Sequence, residues 1–173
     1  MTAADDDVIG APDHLRADHD LSAFDSGVPA LDDWLKRRAL ANEKSGASRT
    51  YVVCVNDTRV VGYYALANGG VALDAATGRT RRNMPDPIPV MVLGRLAVDR
   101  KYHGRELGRG LLRDAILRTV QAAGIVGIRA IIVHAISEEA KRFYERSGFS
   151  VSPIDPMALM ITVADAERLL SGK

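Results

Sequence analysis

The chain has 173 residues, 47% of them apolar, and 23 Lys and Arg against 22 Asp and Glu leave a net charge of +1. That length predicts one domain with a core of its own. The single cysteine, Cys54, excludes an internal disulfide and a cysteine-built metal site, and the four dispersed histidines lack metal-site spacing, so no metal is expected. No apolar run reaches the roughly 18–20 residues of a membrane span. The acidic, polar N-terminus does not resemble a signal peptide, so the expected location is cytoplasmic.

The charge is unevenly spread. Residues 5–20 carry Asp5, Asp6, Asp7, Asp13, Asp18 and Asp20 against Arg16. Lys36, Arg37, Arg38, Lys44 and Arg49 form one basic cluster, and Arg79, Arg81 and Arg82 form a second. Such clusters are either solvated surface or the binding face for a phosphate-rich partner.

Residues 1–12 read as a disordered leader and residues 13–173 as a single domain. Pro29 with Leu31, Trp34, Leu35 and Ala39 predicts a first amphipathic helix, with Asp32 and Asp33 at its start and Lys36, Arg37 and Arg38 after them. Trp34 reads as a core anchor. Two strands follow, from Thr50 to Val55 and from Arg59 to Leu66, joined by the turn Asn56-Asp57-Thr58. Residues 74–89, with Gly78 and three prolines, read as an irregular loop holding the second basic cluster. Val90–Val98 reads as a central strand, with Gly94 marking a bulge or a close backbone approach.

Leu107, Leu111, Leu112, Ala115, Ile116, Thr119, Val120 and Ala123 recur at helical spacing, and Gly124 ends that helix. Arg129–Ala135 reads as a buried strand. Ser137 caps a short helix that carries Ala140, Phe143 and Tyr144 on its inner face. A hairpin over 149–154 and 157–163 and a C-terminal helix complete the chain. The predicted class is α/β: a mixed sheet of α+β character with one βαβ crossover over residues 90–134.

The loop Arg100-Lys-Tyr-His-Gly-Arg-Glu-Leu-Gly-Arg-Gly opens directly onto a helix N-terminus. Unbonded amides, the helix dipole and glycines that admit close approach make this an anion site; a tight turn is the bland reading. It is neither a P-loop nor a dinucleotide fingerprint.

The segment resembles motif A of the GNAT acetyltransferases, Gln/Arg-x-x-Gly-x-Gly/Ala after an apolar strand ending in Val-Asp. In one frame His103 takes the Gln/Arg place, Glu106 the first glycine and Gly108 the second; a second frame reads Arg105-x-x-Gly108-x-Gly110. A glutamate at the first-glycine place is expected to resist positive φ. Ala140-x-x-Phe143-Tyr144-x-x-x-Gly148-Phe149 resembles motif B. The resemblance implies the GNAT fold: a mostly antiparallel mixed sheet with a splayed central strand pair, flanked by helices. It implies acetyl-CoA as co-substrate, held by His103, Gly104, Arg105, Glu106, Leu107, Gly108, Arg109 and Gly110 around the pyrophosphate. Leu96, Ala97 and Val98 would hold the pantetheine arm and acetyl carbonyl, and Ser137, Ala140 and Phe143 would line the site. Tyr144 would be the catalytic acid for the departing thiolate.

Phe24-Asp-Ser-Gly, Leu31-Asp-x-Trp-Leu, the Arg81-Arg-Asn-Met-Pro segment and Leu93-Gly-Arg-Leu-Ala-Val-Asp are similar to one branch of that family. That branch holds the toxins of type II toxin–antitoxin modules, which acetylate the α-amino group of aminoacyl-tRNA and block translation. The similarity implies an aminoacyl-tRNA substrate contacted by Lys36, Arg37, Arg38, Arg79, Arg81, Arg82 and Arg95. It also implies a ribbon-helix-helix antitoxin and a homodimer. The expected mechanism is direct transfer, with water sufficing as base for an amine of pKa near ~8. Acetylation of a small amine or protein N-terminus, and a non-catalytic acyl-CoA-binding module, are the rival readings.

Overall fold

The structure, a computed structural model, describes residues 7–172. Its helices are α1 Pro29–Arg37, α2 Ala39–Ser45, α3 Gly78–Arg81, α4 Leu107–Ala123, α5 Glu138–Arg146 and α6 Val163–Leu170. Its strands are β1 Asp13–His14, β2 Arg49–Val55, β3 Arg59–Val71, β4 Ile88–Val98, β5 Ala130–His134, β6 Ser150–Val151 and β7 Ala158–Thr162. The described strands form one seven-stranded sheet in the order β1-β2-β3-β4-β5-β7-β6. The β4–β5 ladder is parallel, while β1–β2, β2–β3, β5–β7 and β6–β7 are antiparallel. The parallel ladder ends at Leu93↔Val133, and β4 continues to Val98. This is the mixed, helix-flanked sheet expected. The chain forms two compact units: Met1–Leu66 with Arg95–Asp114, and Ala67–Gly94 with Ala115–Lys173.

In the first unit, Pro29 starts α1 with a ready-made φ and no amide to satisfy. Leu31 and Leu35, one turn apart, are buried against Phe24, Val52, Val60, Tyr63 and Ala97. Fully burying a side chain such as Leu35 contributes about 1.5–3 kcal/mol. Asp32 serves more than the helix dipole: it is buried and accepts from the Ser26 amide at 3.0 Å and hydroxyl at 2.6 Å. The expected single helix is in fact two, because Arg38 leaves helical geometry (φ −120) before α2, which Gly46 ends at φ 84. Asn56 (φ 52) and Asp57 (φ 73) make the tight β2–β3 turn.

A disordered leader was expected over residues 1–12. Residues 1–6 lie outside the described residues, whereas residues 7–12 run along β2: Gly10 donates to the Cys54 carbonyl at 3.0 Å, and Ile9 bridges Val55.

In the second unit, Val90, Ala130, Ile132 and Met160 face one another in a core that also takes in Val71, Ala76 and Ile88. The expected irregular loop over 74–89 needs correction. Leu73–Ala75 forms a 3-10 turn, and Thr77 caps the one-turn α3 by accepting from the Thr80 amide. The final hairpin pairs as expected but is shorter on its first arm, Ser150–Val151. Among the described residues no helix is long and apolar enough to cross a membrane.

Candidate active site

In the first unit, β4 delivers Arg95, Leu96, Ala97 and Val98 in succession, and the chain turns at Asp99 into a 3-10 turn, Arg100–Tyr102. Asp99 is buried and organises this corner. Its carboxylate accepts from the Lys101 amide at 3.0 Å and the Asp25 amide at 3.1 Å, and its own amide donates to the Val61 carbonyl at 2.8 Å. Arg100 pairs with Asp25 across the same corner. Tyr102 is 1% exposed, its hydroxyl bonded to Asp7 and to Arg59, the latter at 2.6 Å. The Arg105 guanidinium carbon lies 5.3 Å from the Tyr102 ring centre.

The loop then folds back on its strand. His103 Nε2 lies 2.7 Å from the Val98 carbonyl. A carbonyl only accepts, so Nε2 is the protonated nitrogen. Gly104 (φ 81) and Glu106 (φ 62) both adopt left-handed geometry. Glu106 was expected to resist that region, and the structure corrects this: the residue takes the conformation that glycine adopts without steric cost. Its side chain is exposed and pairs with Arg109 at 3.0 Å. The Gly110 amide donates to the Glu106 carbonyl at 3.1 Å. The amides of Leu107, Gly108 and Arg109 therefore precede the first intrahelical bond and point out of the helix N-terminus, a cradle for an anion.

Ser137, in the second unit, caps α5 by accepting from the Ala140 amide at 3.1 Å, which leaves its hydroxyl proton available. Phe143 meets Tyr144 edge-on at 5.1 Å, and Tyr144 meets Phe149 at 5.6 Å. Tyr144 is 8% exposed, and among the described residues no hydrogen-bond partner holds its hydroxyl. Burial pushes its phenol up to about 12. Gly148 follows the helix at φ 101, a backbone conformation that favours glycine, and Leu169 lies 3.2 Å from where a Cβ would sit.

The two basic clusters fare differently. Lys36, Arg37 and Arg38 are exposed at the end of α1, and Arg38 is the joint with α2. Arg79 is committed: its guanidinium binds Asp165 through two bonds, at 2.8 and 2.7 Å, and its carbonyl accepts from Arg129. Arg81 and Arg82 are exposed, with no ionic partner among the described residues. The half-buried Arg95 lies over Trp34, its guanidinium carbon 4.4 Å from the ring centre. Sequence reasoning missed Asp99 and Tyr102, the two buried residues behind the loop. An acid directly after an apolar strand was the available signal for the first. Cys54 is buried and its thiol pushed up to about 11, which suits an inert side chain. Among the described residues no group of acids, cysteines and histidines is gathered that could hold a metal ion.

The strand feeding a left-handed loop onto a helix N-terminus in the first unit, and the buried phenol on a capped helix in the second, are each of a kind that suits acyl transfer from a phosphate-bearing thioester. Residues 47–151 match the acetyltransferase (GNAT) domain, and the chain belongs to that family of acetyltransferases. Within it, the chain is 56% identical over 160 residues to the tRNA-acetylating toxin of Mycobacterium tuberculosis (strain ATCC 25618 / H37Rv), covering 92% of this chain and 96% of that protein. It is similar to the solved structure of AtaT complexed with acetyl-methionyl-tRNAfMet: TM-score 0.85, 30% identity, 94% of this chain and 99% of that one. It also resembles a Tyr→Phe variant of the AtaT toxin bound to the C-terminus of the antitoxin AtaR and acetyl-CoA: TM-score 0.81, 28% identity, 94% and 98% covered.

Proposed function

We propose that this protein transfers the acetyl group of acetyl-CoA to the α-amino group of aminoacyl-tRNA, and that it thereby blocks translation as the toxin of a toxin–antitoxin pair. The observation that carries the reading is the 56% identity, over nearly the full length of both chains, to a tRNA-acetylating toxin. A toxin acting on tRNA works in the cytoplasm. The partner is an antitoxin of ribbon-helix-helix type, and the assembly a homodimer.

The donor fits the residues present. The amides of Leu107, Gly108 and Arg109 and those of the loop from His103 to Glu106 take the pyrophosphate, with Gly110 at the first closed turn. The left-handed Glu106 supports the frame in which it fills the first-glycine place. Along β4 the Asp99 amide faces β3, so the amides of Leu96 and Val98, on the opposite edge with Ala97 between them, polarise the acetyl carbonyl as charge builds on its oxygen. Ser137, Ala140 and Phe143 flank the thiol arm, and the Tyr144 hydroxyl donates to the departing sulfur. The acceptor amine loses its proton to water, since its reference pKa is near ~8.

Incubation with labelled acetyl-CoA and total aminoacyl-tRNA tests this reading. Label recovered as an N-acetyl-aminoacyl group on tRNA is the expected result. Label appearing only on small amines or protein N-termini, or on nothing, would overturn it.

A further inference from the structure

Four side chains of the first unit form a ladder that runs from the core toward the surface. Phe24 meets Tyr63 edge-on at 5.6 Å. Tyr63 is fully buried and donates its hydroxyl to the Leu31 carbonyl at 2.7 Å. Trp34 lies parallel to Tyr63, 6.0 Å away with an 11° tilt. Arg95 covers the indole at 4.4 Å.

Each rung restricts the next, so the guanidinium is held in place before any ligand arrives. A guanidinium offers five N–H donors and a π-face. Among the described residues Arg95 has no carboxylate or carbonyl partner, unlike Arg79, Arg100, Arg109 and Arg168. An ion-paired arginine is a structural tie; this one is presented. Its position is also special. Arg95 immediately precedes Leu96, Ala97 and Val98, the strand residues assigned to the acetyl carbonyl, so at about 3.3 Å per residue it sits within roughly 10 Å of the reacting atoms. Lys36 and Arg37 follow Trp34 on α1, and Arg38, the joint with α2, donates its amide to the Trp34 carbonyl at 2.8 Å.

We propose that Arg95, backed by Trp34, seats the unpaired terminal adenosine of the acceptor by stacking on its base. This rests on the aminoacyl-tRNA reading above. That adenosine carries the aminoacyl ester, so it is the nucleotide that must lie beside the acetyl group. It is single-stranded, and single-stranded bases are held on aromatic and guanidinium planes. The neighbouring α1 cations then meet the phosphates behind it, which assigns register to the stack and affinity to the charges.

The test is a binding cycle between the protein and two unacylated tRNAs, one intact and one lacking only its terminal adenosine. Wild-type protein should bind the intact tRNA roughly 5- to 150-fold more tightly, the range set by one base stack. Arg95→Lys keeps the charge and loses the plane, so the two tRNAs should bind nearly alike while the salt dependence is kept. Trp34→Phe leaves a smaller support in the core and should shrink the difference partway. Thermal melts confirm that both variants are folded. An equal affinity of wild-type protein for the two tRNAs, or a difference that survives Arg95→Lys, would overturn the proposal. If labelled acetyl still reaches aminoacyl-tRNA in that case, only the seat is wrong. If wild-type protein neither binds nor acetylates tRNA, the functional reading falls with it.

Discussion

Tyr144 poses a question of proton affinity. Its phenol, raised to about 12 by burial, is a weaker acid than an ordinary thiol of pKa about 8.5 is in water. Delivering a proton to such a thiolate would be uphill. A dry site moves the thiol too, because desolvation disfavours any anion. Cys54 shows the direction in this same molecule, its buried thiol being lifted to about 11. Desolvation of the thiolate therefore narrows the gap to the phenol and makes the proton transfer less uphill. The raised value also sets the pH dependence. A phenol whose pKa is raised stays protonated, and so competent, at every pH below about 11. The expected pH–rate profile rises near pH 8 as the acceptor amine deprotonates and then stays flat. A falling limb near pH 10 would contradict this. Tyr144→Phe keeps the contacts with Phe143 and Phe149 and should lower turnover about 10²- to 10⁴-fold with little change in acetyl-CoA affinity. Wild-type turnover in that variant would remove Tyr144 from the chemistry.

In the proposed site the strand–loop–helix from β4 to α4 holds the donor, and Glu106 separates two effects within it. Left-handed geometry costs a non-glycine residue about 1–2 kcal/mol, and a carboxylate beside a pyrophosphate repels it. Glu106→Gln removes the charge and keeps the backbone strain; Glu106→Gly removes both. Calorimetry should show tighter acetyl-CoA binding in both variants, with the larger stability change confined to the glycine variant. Unchanged affinity in Glu106→Gln would mean that the exposed carboxylate, paired with Arg109, does not sense the phosphates. This element also marks what a sequence discloses. The helix of residues 107–123 was legible because its apolar spacing spans four turns, and motif B because its aromatics pack on one another and its glycine sits at a positive φ. The backbone at Glu106 was not, since side-chain statistics argue against the conformation it adopts. Nor was α3: a one-turn helix has no periodicity, and it stands through Thr77 and through Arg129, which is distant in sequence. The joint at Arg38 was hidden because apolar spacing continues through it from Leu35 to Ala39.

At the scale of the whole molecule, a net charge of +1 conceals how the cations are distributed. Sequence alone gives Arg79, Arg81 and Arg82 equal standing. The fold does not: Asp165 neutralises Arg79, whereas Arg81 and Arg82 face solvent with no ionic partner among the described residues. Binding to a polyphosphate releases counterions in proportion to the phosphates neutralised, about 0.7–0.9 in the salt slope for each contact. Replacing both Arg81 and Arg82 by Ala should therefore weaken tRNA binding and flatten the slope by about 1.4–1.8. Acetyl-CoA binding should persist, and any growth arrest caused by the wild-type protein should be relieved. Arg79→Ala is the internal comparison. It breaks an ion pair of an exposed guanidinium that solvent already screens, so the melting temperature should barely move while the slope stays as it was. The opposite pattern, a slope that drops with Arg79 and holds with Arg81 and Arg82, would place the tRNA on another face. It would leave Arg81 and Arg82 either to solvent or to an acidic segment of the antitoxin, which a titration with antitoxin peptide in place of tRNA would detect.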